Sequence, residues 1–212
     1  MKKQGIFFDL DGTLWDAIEQ IHQSWNETMV SMDMKYRFTL PQIKSTMGLT
    51  PEETLPITFP DSDREEGMRL FKECVKREIR FLKTNPGRLY PKEKEVLETL
   101  SEKYPLYVVS NSDKGYVENY LSACHTKAYF KGHICAGDTG LAKWQNIIYL
   151  REKEGLDDVI YVGDTDKDRI ETAKAKAKFI HAAYGFGIIE NDTCKINSLE
   201  ELIDKVDILL KN

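Results

Sequence analysis

The chain has 212 residues, 41% of them hydrophobic and 31% charged, and its 30 basic and 35 acidic side chains leave a formal charge of -5. With a mean hydropathy of -0.47, this composition can build a packed core and is too polar for a membrane protein, while disorder and fibrous repeats are excluded. The acidic balance also argues against nonspecific nucleic-acid binding, so an anionic ligand needs a locally positive site.

Gly5-Ile6-Phe7-Phe8 is an apolar run too short for a helix, and it ends at once in Asp9-Leu10-Asp11-Gly12-Thr13. It predicts a buried strand entering a loop. The chain turns acidic there before a signal-peptide segment can develop, and no apolar run approaches the roughly 18 residues that span a bilayer. A soluble cytoplasmic protein without membrane contact is expected. Cys74, Cys124, Cys135 and Cys194 are widely spaced with no CxxC pair, which predicts reduced thiols rather than a disulfide framework.

Residues 15 to 85 hold five of the six methionines and two of the three tryptophans. Their spacing predicts helices over Asp16–Met32 and Asp61–Lys83, with shorter helices around Gln42 and Glu52 marked off by Pro41, Pro51, Pro56 and Pro60. The methionines and aromatics read as the core of this segment, and the charged run from Lys72 to Arg80 as a solvated helix face. About 90 residues separate the first strand from the second, where a crossover needs only a dozen or more, so a small helical cap of about 70 residues is inserted. Asn85-Pro86-Gly87 marks the return to the main domain.

From there strand and helix patterns alternate. Strands are predicted at Leu106–Val109, Val159–Val162 and Phe179–Ala182, with a weaker one at His133–Cys135; helices are predicted over Lys92–Glu102, Lys114–Ser122, Lys143–Lys153, Thr165–Lys176 and Ser198–Leu210. Strands this apolar imply a parallel sheet covered on both faces. The expectation is an α/β protein, a doubly wound Rossmann-like core over 1–14 and 86–212 with a cap domain over 15–85.

In such a sheet, ligands bind beyond the carboxyl ends of the strands, and those ends carry Asp9, Asp11, Ser110, Asn111, Asp164 and Asp168. Carboxylates converging on one point repel unless a cation joins them, and oxygen ligands with little else select magnesium. The Ser110 hydroxyl, nearby backbone N–H groups and one lysine could hold a phosphate.

Three segments resemble, in order, motifs of the haloacid dehalogenase superfamily of phosphotransferases. Asp9-Leu10-Asp11-Gly12-Thr13-Leu14 is similar to its first motif, DxDGTL; Val108-Val109-Ser110-Asn111 to its second, a strand ending in Ser or Thr; and Gly163-Asp164-Thr165-Asp166-Lys167-Asp168 to its fourth, GDxxxD. Lys143 is the candidate for the third, a lone lysine at a helix start. Trp144 follows it where this branch usually has proline, and Lys131 and Lys153 are the fallback candidates. A helical cap between motifs one and two resembles the phosphoglycolate phosphatase and β-phosphoglucomutase branch.

The resemblance implies a magnesium-dependent phosphatase acting on a small phosphorylated metabolite. Asp9 would be the nucleophile that forms an aspartyl phosphate, and Asp11 the acid that protonates the leaving oxygen and later deprotonates water. Asp9, Asp164 and the main-chain carbonyl of Asp11 would bind the metal; Ser110, Asn111 and Lys143 would bind phosphate. Thr13 is expected to orient the catalytic loop through its hydroxyl, and Asp168 to orient Lys143 or a metal-bound water. Met47-Gly48-Leu49-Thr50 resembles the family's specificity loop, so Met47 and Gly48, together with Trp15, are candidates for substrate contact. Asp11 argues against dehalogenases and phosphonatases, which lack that aspartate. A phosphomutase of the β-phosphoglucomutase type and a non-catalytic phosphate-binding module remain alternatives.

Two metal patterns carry less. Asp164-Thr165-Asp166-Lys167-Asp168 opens like an EF-hand loop, but Arg169 and Ala175 stand where glycine and glutamate are needed. Cys124, His125, His133 and Cys135 match no zinc-finger spacing and read as structural. His22 and His181 show no evident partner in the sequence.

Overall fold

The computed structural model describes residues 2–190, 192 and 194–211. In chain order its elements are β1 (Gln4–Phe8), β2 (Trp15–Asp16), α1 (Ile18–Ser31), α2 (Leu40–Lys44), α3 (Pro51–Thr58), α4 (Arg64–Leu82), β3 (Arg88–Leu89), α5 (Glu93–Ser101), β4 (Leu106–Ser110), α6 (Tyr116–Ala123), β5 (Phe130–Cys135), α7 (Ala136–Thr139), α8 (Lys143–Lys153), β6 (Asp158–Gly163), α9 (Asp166–Lys174), β7 (Lys178–Ala182), β8 (Lys195–Ile196) and α10 (Glu201–Lys211).

Six strands form one sheet in the order β5-β4-β1-β6-β7-β8, and every pairing in it is parallel. Without the short β2–β3 pair, this is the doubly wound strand order in which the connections diverge at the first strand. The central strands are buried on both faces because successive side chains point to opposite sides. Ile6, Phe8, Val108, Ile160 and Val162 join one apolar cluster; Phe7, Tyr107, Val109, Val159 and Tyr161 join the other, under α8. The parallel α/β sheet expected from the sequence is therefore present, with β8 added at its edge. Two residues are too short a run to show a period.

The segment between β2 and β3 is helical. Thr39, Thr50 and Asp63 cap α2, α3 and α4 by accepting backbone N–H groups through their side chains, and Pro41 and Pro51 occupy first-turn positions that lose no helical hydrogen bond. Pro56 does not mark a boundary; it lies inside α3, which runs on for two more residues. Trp25 on α1 packs edge-on against Phe38 and Phe71, with centroids 5.2 and 5.7 Å away. These rings belong to the apolar cluster on the Phe8 face of the sheet. The antiparallel β2–β3 pair, Trp15 against Leu89 and Asp16 against Arg88, ties the two ends of the helical segment together.

Of the two histidines without an evident partner, His22 makes a hydrogen bond and His181 a close contact that lacks hydrogen-bond geometry. His22 Nε2 lies 2.9 Å from the Phe38 carbonyl, and His181 Nδ1 lies 2.8 Å from Asp192. Among the described residues no helix is long and apolar enough to cross a membrane.

Glu93 opens α5 and is 1% exposed. One oxygen accepts a 2.6 Å bond from Tyr120 Oη, and the other is buried with no hydrogen bond. Burial raises this carboxyl from 4.5 to about 8. The unfolded chain releases the proton first, so the stability contributed below the unfolded value is lost as pH rises through the folded one. Glu93→Gln keeps an acceptor for Tyr120 and cannot ionise. Its melting temperature should fall less than that of the wild type between about pH 5 and about pH 8, as read by circular dichroism at both values.

Candidate active site

Asp9 follows β1 and Asp164 follows β6, neighbouring strands in register, with Phe8 opposite Val162. Sheet order alone therefore places two carboxylates side by side at the carboxyl edge. Asp164, Asp9 and Asp168 are all buried, and a ligand oxygen from each lies within 4.8 Å of the others. Asp168 arrives from the first turn of α9, where it forms a capping box with Thr165: its Oδ2 accepts from the Thr165 N–H at 3.1 Å and from the Thr165 hydroxyl at 2.6 Å.

Lys143, the first residue of α8, closes the group. Its Nζ donates to Asp9 Oδ1 at 2.8 Å and to Asp168 Oδ1 at 2.6 Å, and the residue is 2% exposed. Burial works to lower its pKa, but the charges of Asp168 and Asp9 dominate and hold it well above the usual value. Of the three candidate lysines, Lys143 alone reaches these carboxylates; Lys131 and Lys153 are exposed.

One lysine cannot neutralise the cluster. Burial, and then the charge of Asp168, push Asp9 up to about 7 against the opposing pull of Lys143. Burial and the charges of Asp168 and Asp9 hold Asp164 well above the carboxylate range. Asp164 Oδ2 accepts the Phe186 N–H at 2.7 Å, while Oδ1 is buried without a hydrogen bond. Three converging carboxylates, one with an orphaned oxygen, make a donor set that suits a hard divalent cation. Among the described residues no other group of three His, Cys, Asp or Glu side chains converges in this way, so the EF-hand and Cys/His patterns gather no such site. Asp166 is an exposed partner of Arg169.

Asp11 stands apart from the triad. Its Oδ1 accepts from Tyr116 Oη at 2.7 Å and from Trp15 Nε1 at 3.0 Å, and its Oδ2 makes no hydrogen bond among the described residues. Burial lifts this carboxyl to about 6, tempered by those two donors. Trp15, a candidate for substrate contact, does not line the cavity beside Asp11: it is 0% exposed, lies edge-on to Tyr116 and Tyr120, and gives its indole N–H to Asp11. Thr13 also differs from expectation. Its hydroxyl is buried without a partner, and its carbonyl instead accepts the Tyr184 hydroxyl at 2.7 Å.

Close backbone approach fixes the floor of the site. A Cβ on Gly12, where φ is +78°, would lie 2.1 Å from Asp164 Oδ2, and one on Gly185 would lie 2.3 Å from the Gly12 carbonyl. Only glycine admits both approaches. The sequence carried this in Gly185-Phe186-Gly187, which a strand-by-strand reading passes over as the end of β7.

A cavity of about 100 Å³ opens in front of Asp9 and Asp11 toward the helical segment. Met47, Gly48, Ser110 and Asn111 line it, joined by Trp25, Phe71, Glu78, Asp113 and Tyr116. Ser110 Oγ accepts the Ser112 N–H at 3.2 Å. The Asn111 amide donates to the Gly48 carbonyl at 3.0 Å across the mouth, and a Lys167–Glu53 ion pair spans the same gap. Glu78 falls in the charged run of α4 that reads as solvent-facing, yet it is 7% exposed. The stripe Leu70, Cys74, Glu78, Leu82, at intervals of one helical turn, was the available signal.

A phosphoglycolate phosphatase of Haemophilus influenzae strain 86-028NP is 28% identical over 198 residues, covering 85% of this chain and 86% of that protein. One of Aquifex aeolicus strain VF5 is 29% identical over 187 residues, covering 85% of each. A haloacid dehalogenase-like family hydrolase from Streptococcus pneumoniae superposes with a TM-score of 0.83 at 20% identity, covering 96% of this chain and 98% of its own, a likeness of fold. The family model for haloacid dehalogenase-like hydrolases matches residues 6–182, which take in Asp9, Asp11, Lys143, Asp164 and Asp168, and the chain belongs to that family.

Proposed function

We propose that this hydrolase is a phosphatase that cleaves a small phosphate monoester through an aspartyl phosphate on Asp9, with residues 15–85 acting as a cap over a core of 1–14 and 86–212. The observation that carries this reading is the division of labour between the oxygens of two aspartates. Lys143 occupies one oxygen of Asp9 and leaves the other, without a hydrogen bond among the described residues, to attack phosphorus. Tyr116 and Trp15 occupy one oxygen of Asp11 and leave the other to carry a proton toward the leaving alcohol. With its pKa near 6, Asp11 can hold that proton and then take one from water in the second step, as general acid–base work requires.

Ser110 can donate its hydroxyl hydrogen to a phosphate oxygen while it accepts from Ser112. Asn111, with its amide on Gly48, can serve phosphate through its main chain and hold the cap loop through its side chain. Asp168 has both oxygens engaged, by Lys143 and Thr165, and so positions the lysine. Asp9, Asp164 and the Asp11 carbonyl would hold a magnesium ion, which when bound supplies positive charge against the repulsion between carboxylate and phosphate dianion. Curated relatives that carry the name phosphoglycolate phosphatase support a small phosphorylated substrate.

Hydrolysis of a panel of phosphate monoesters, with magnesium and with a chelator, tests the reading. Magnesium should activate and calcium should not replace it, because calcium prefers more ligands and longer bonds. Asp9→Asn should lower kcat by at least about a thousandfold, since each factor of ten corresponds to only ~1.4 kcal/mol of barrier and an amide cannot form the intermediate. Retention of a tenth of the wild-type rate would remove Asp9 from the nucleophile role.

Lys143→Met leaves Asp9 and Asp168 buried with no cation. Breaking a buried pair from one side costs about 3–5 kcal/mol, so the urea midpoint of the variant should drop clearly below that of the wild type. The loss should be partly restored by millimolar magnesium if the triad binds it.

A further inference from the structure

The cavity in front of Asp9 and Asp11 has a charge pattern that the name of its relatives, phosphoglycolate phosphatase, does not explain. Its acidic lining residues are Asp9, Asp11, Glu78 and Asp113, and no Lys, Arg or His is among the residues that line it. Lys143 lies behind Asp9 and is spent on two carboxylates. A leaving group that carries a carboxylate, as in phosphoglycolate, would therefore enter beside two further acids with no cation to pair with. Desolvating an unpaired anion in that position is costly.

The same wall suits the opposite charge. Glu78 projects from α4; one of its oxygens accepts from the Trp25 indole N–H, and the other makes no hydrogen bond among the described residues. Trp25, Phe71 and Tyr116 line the cavity with it, and a carboxylate framed by aromatic rings is the chemistry that recognises an ammonium group. Resting on the phosphatase reading above, we infer that the substrate is the phosphate ester of a small amino alcohol, with its ammonium group held by Glu78 among these aromatic rings. Burial, with the charges of Asp11 and Asp113, raises the Glu78 carboxyl to about 8. A bound cation relieves that local negative potential and a bound anion deepens it.

The test compares kcat/KM for phosphoethanolamine, 2-hydroxyethyl phosphate and phosphoglycolate, with an aryl phosphate as the general phosphatase substrate. The wild type should prefer phosphoethanolamine over 2-hydroxyethyl phosphate by tenfold or more and handle phosphoglycolate worst. Glu78→Gln should collapse the amine-to-hydroxyl ratio toward one, and Glu78→Lys should shift preference toward phosphoglycolate. A wild type that favours phosphoglycolate, or a ratio that Glu78→Gln leaves unchanged, would overturn the inference while the phosphatase reading stands. If no ester is hydrolysed, the aryl phosphate included, the phosphatase reading fails, and thermal shift then decides the ammonium site. Phosphoethanolamine raising the wild-type melting temperature more than 2-hydroxyethyl phosphate would uphold it, and equal shifts would overturn it.

Discussion

The geometry of this molecule hangs on a buried lysine placed between two aspartates. Among the described residues, Lys143 is the one cation reaching a cluster in which Asp9, Asp164 and Asp168 lie within 4.8 Å of one another. Such a concentration of carboxylates in a desolvated place is unfavourable in itself and persists because the surrounding structure fixes it. The excess negative charge is what makes the place useful. Protons or a bound cation can offset it, so the place favours positive charge before any substrate arrives.

Each member of the cluster comes from a different strand or helix, and the topology explains why they meet. Parallel neighbours β1 and β6 deliver Asp9 and Asp164 from adjacent carboxyl ends, the place where connections diverge and a crevice opens. Helices α8 and α9 begin at the same edge and contribute Lys143 and Asp168 from their first turns. The helical segment between β2 and β3 then closes the front with an apolar and acidic wall. The two sides of the cleft thus differ in kind: a polar floor of Asp9, Asp11 and Ser110, and facing it a wall in which Trp25 and Phe71 surround a single acid, Glu78.

The sequence made the floor legible and left the wall obscure. Four-residue apolar runs ending in Asp9, Ser110 and Asp164 carry their meaning locally, because a buried parallel strand needs nothing beyond its own side chains to be recognised. Lys143 was legible only as the one lysine at the right helix start. Tyr116 was not legible as the partner of Asp11, since the two are 105 residues apart and only the packing of α6 brings them together. Glu78 was misread because a helix rich in lysine and glutamate looks solvated until the apolar stripe that shares its face is traced. Pro56 reads as a boundary because an interior proline removes a helical hydrogen bond, yet α3 carries it in its second turn. Trp15 reads as close to substrate from its position after the Asp9–Thr13 loop, whereas it is fully buried with its N–H on Asp11, a contact the sequence does not announce.

The bond that steadies Asp164 comes from the peptide N–H of Phe186 rather than from a side chain. A main-chain donor belongs to the position and not to the residue, so nineteen of the twenty amino acids would supply it. The mutational consequence is uneven. Position 186 can drift in side-chain identity without losing its grip on the aspartate, with proline the exception, whereas a methyl group at neighbouring Gly185 collides with the Gly12 carbonyl. The physical constraint on this loop therefore falls on its path through space far more than on its chemical alphabet.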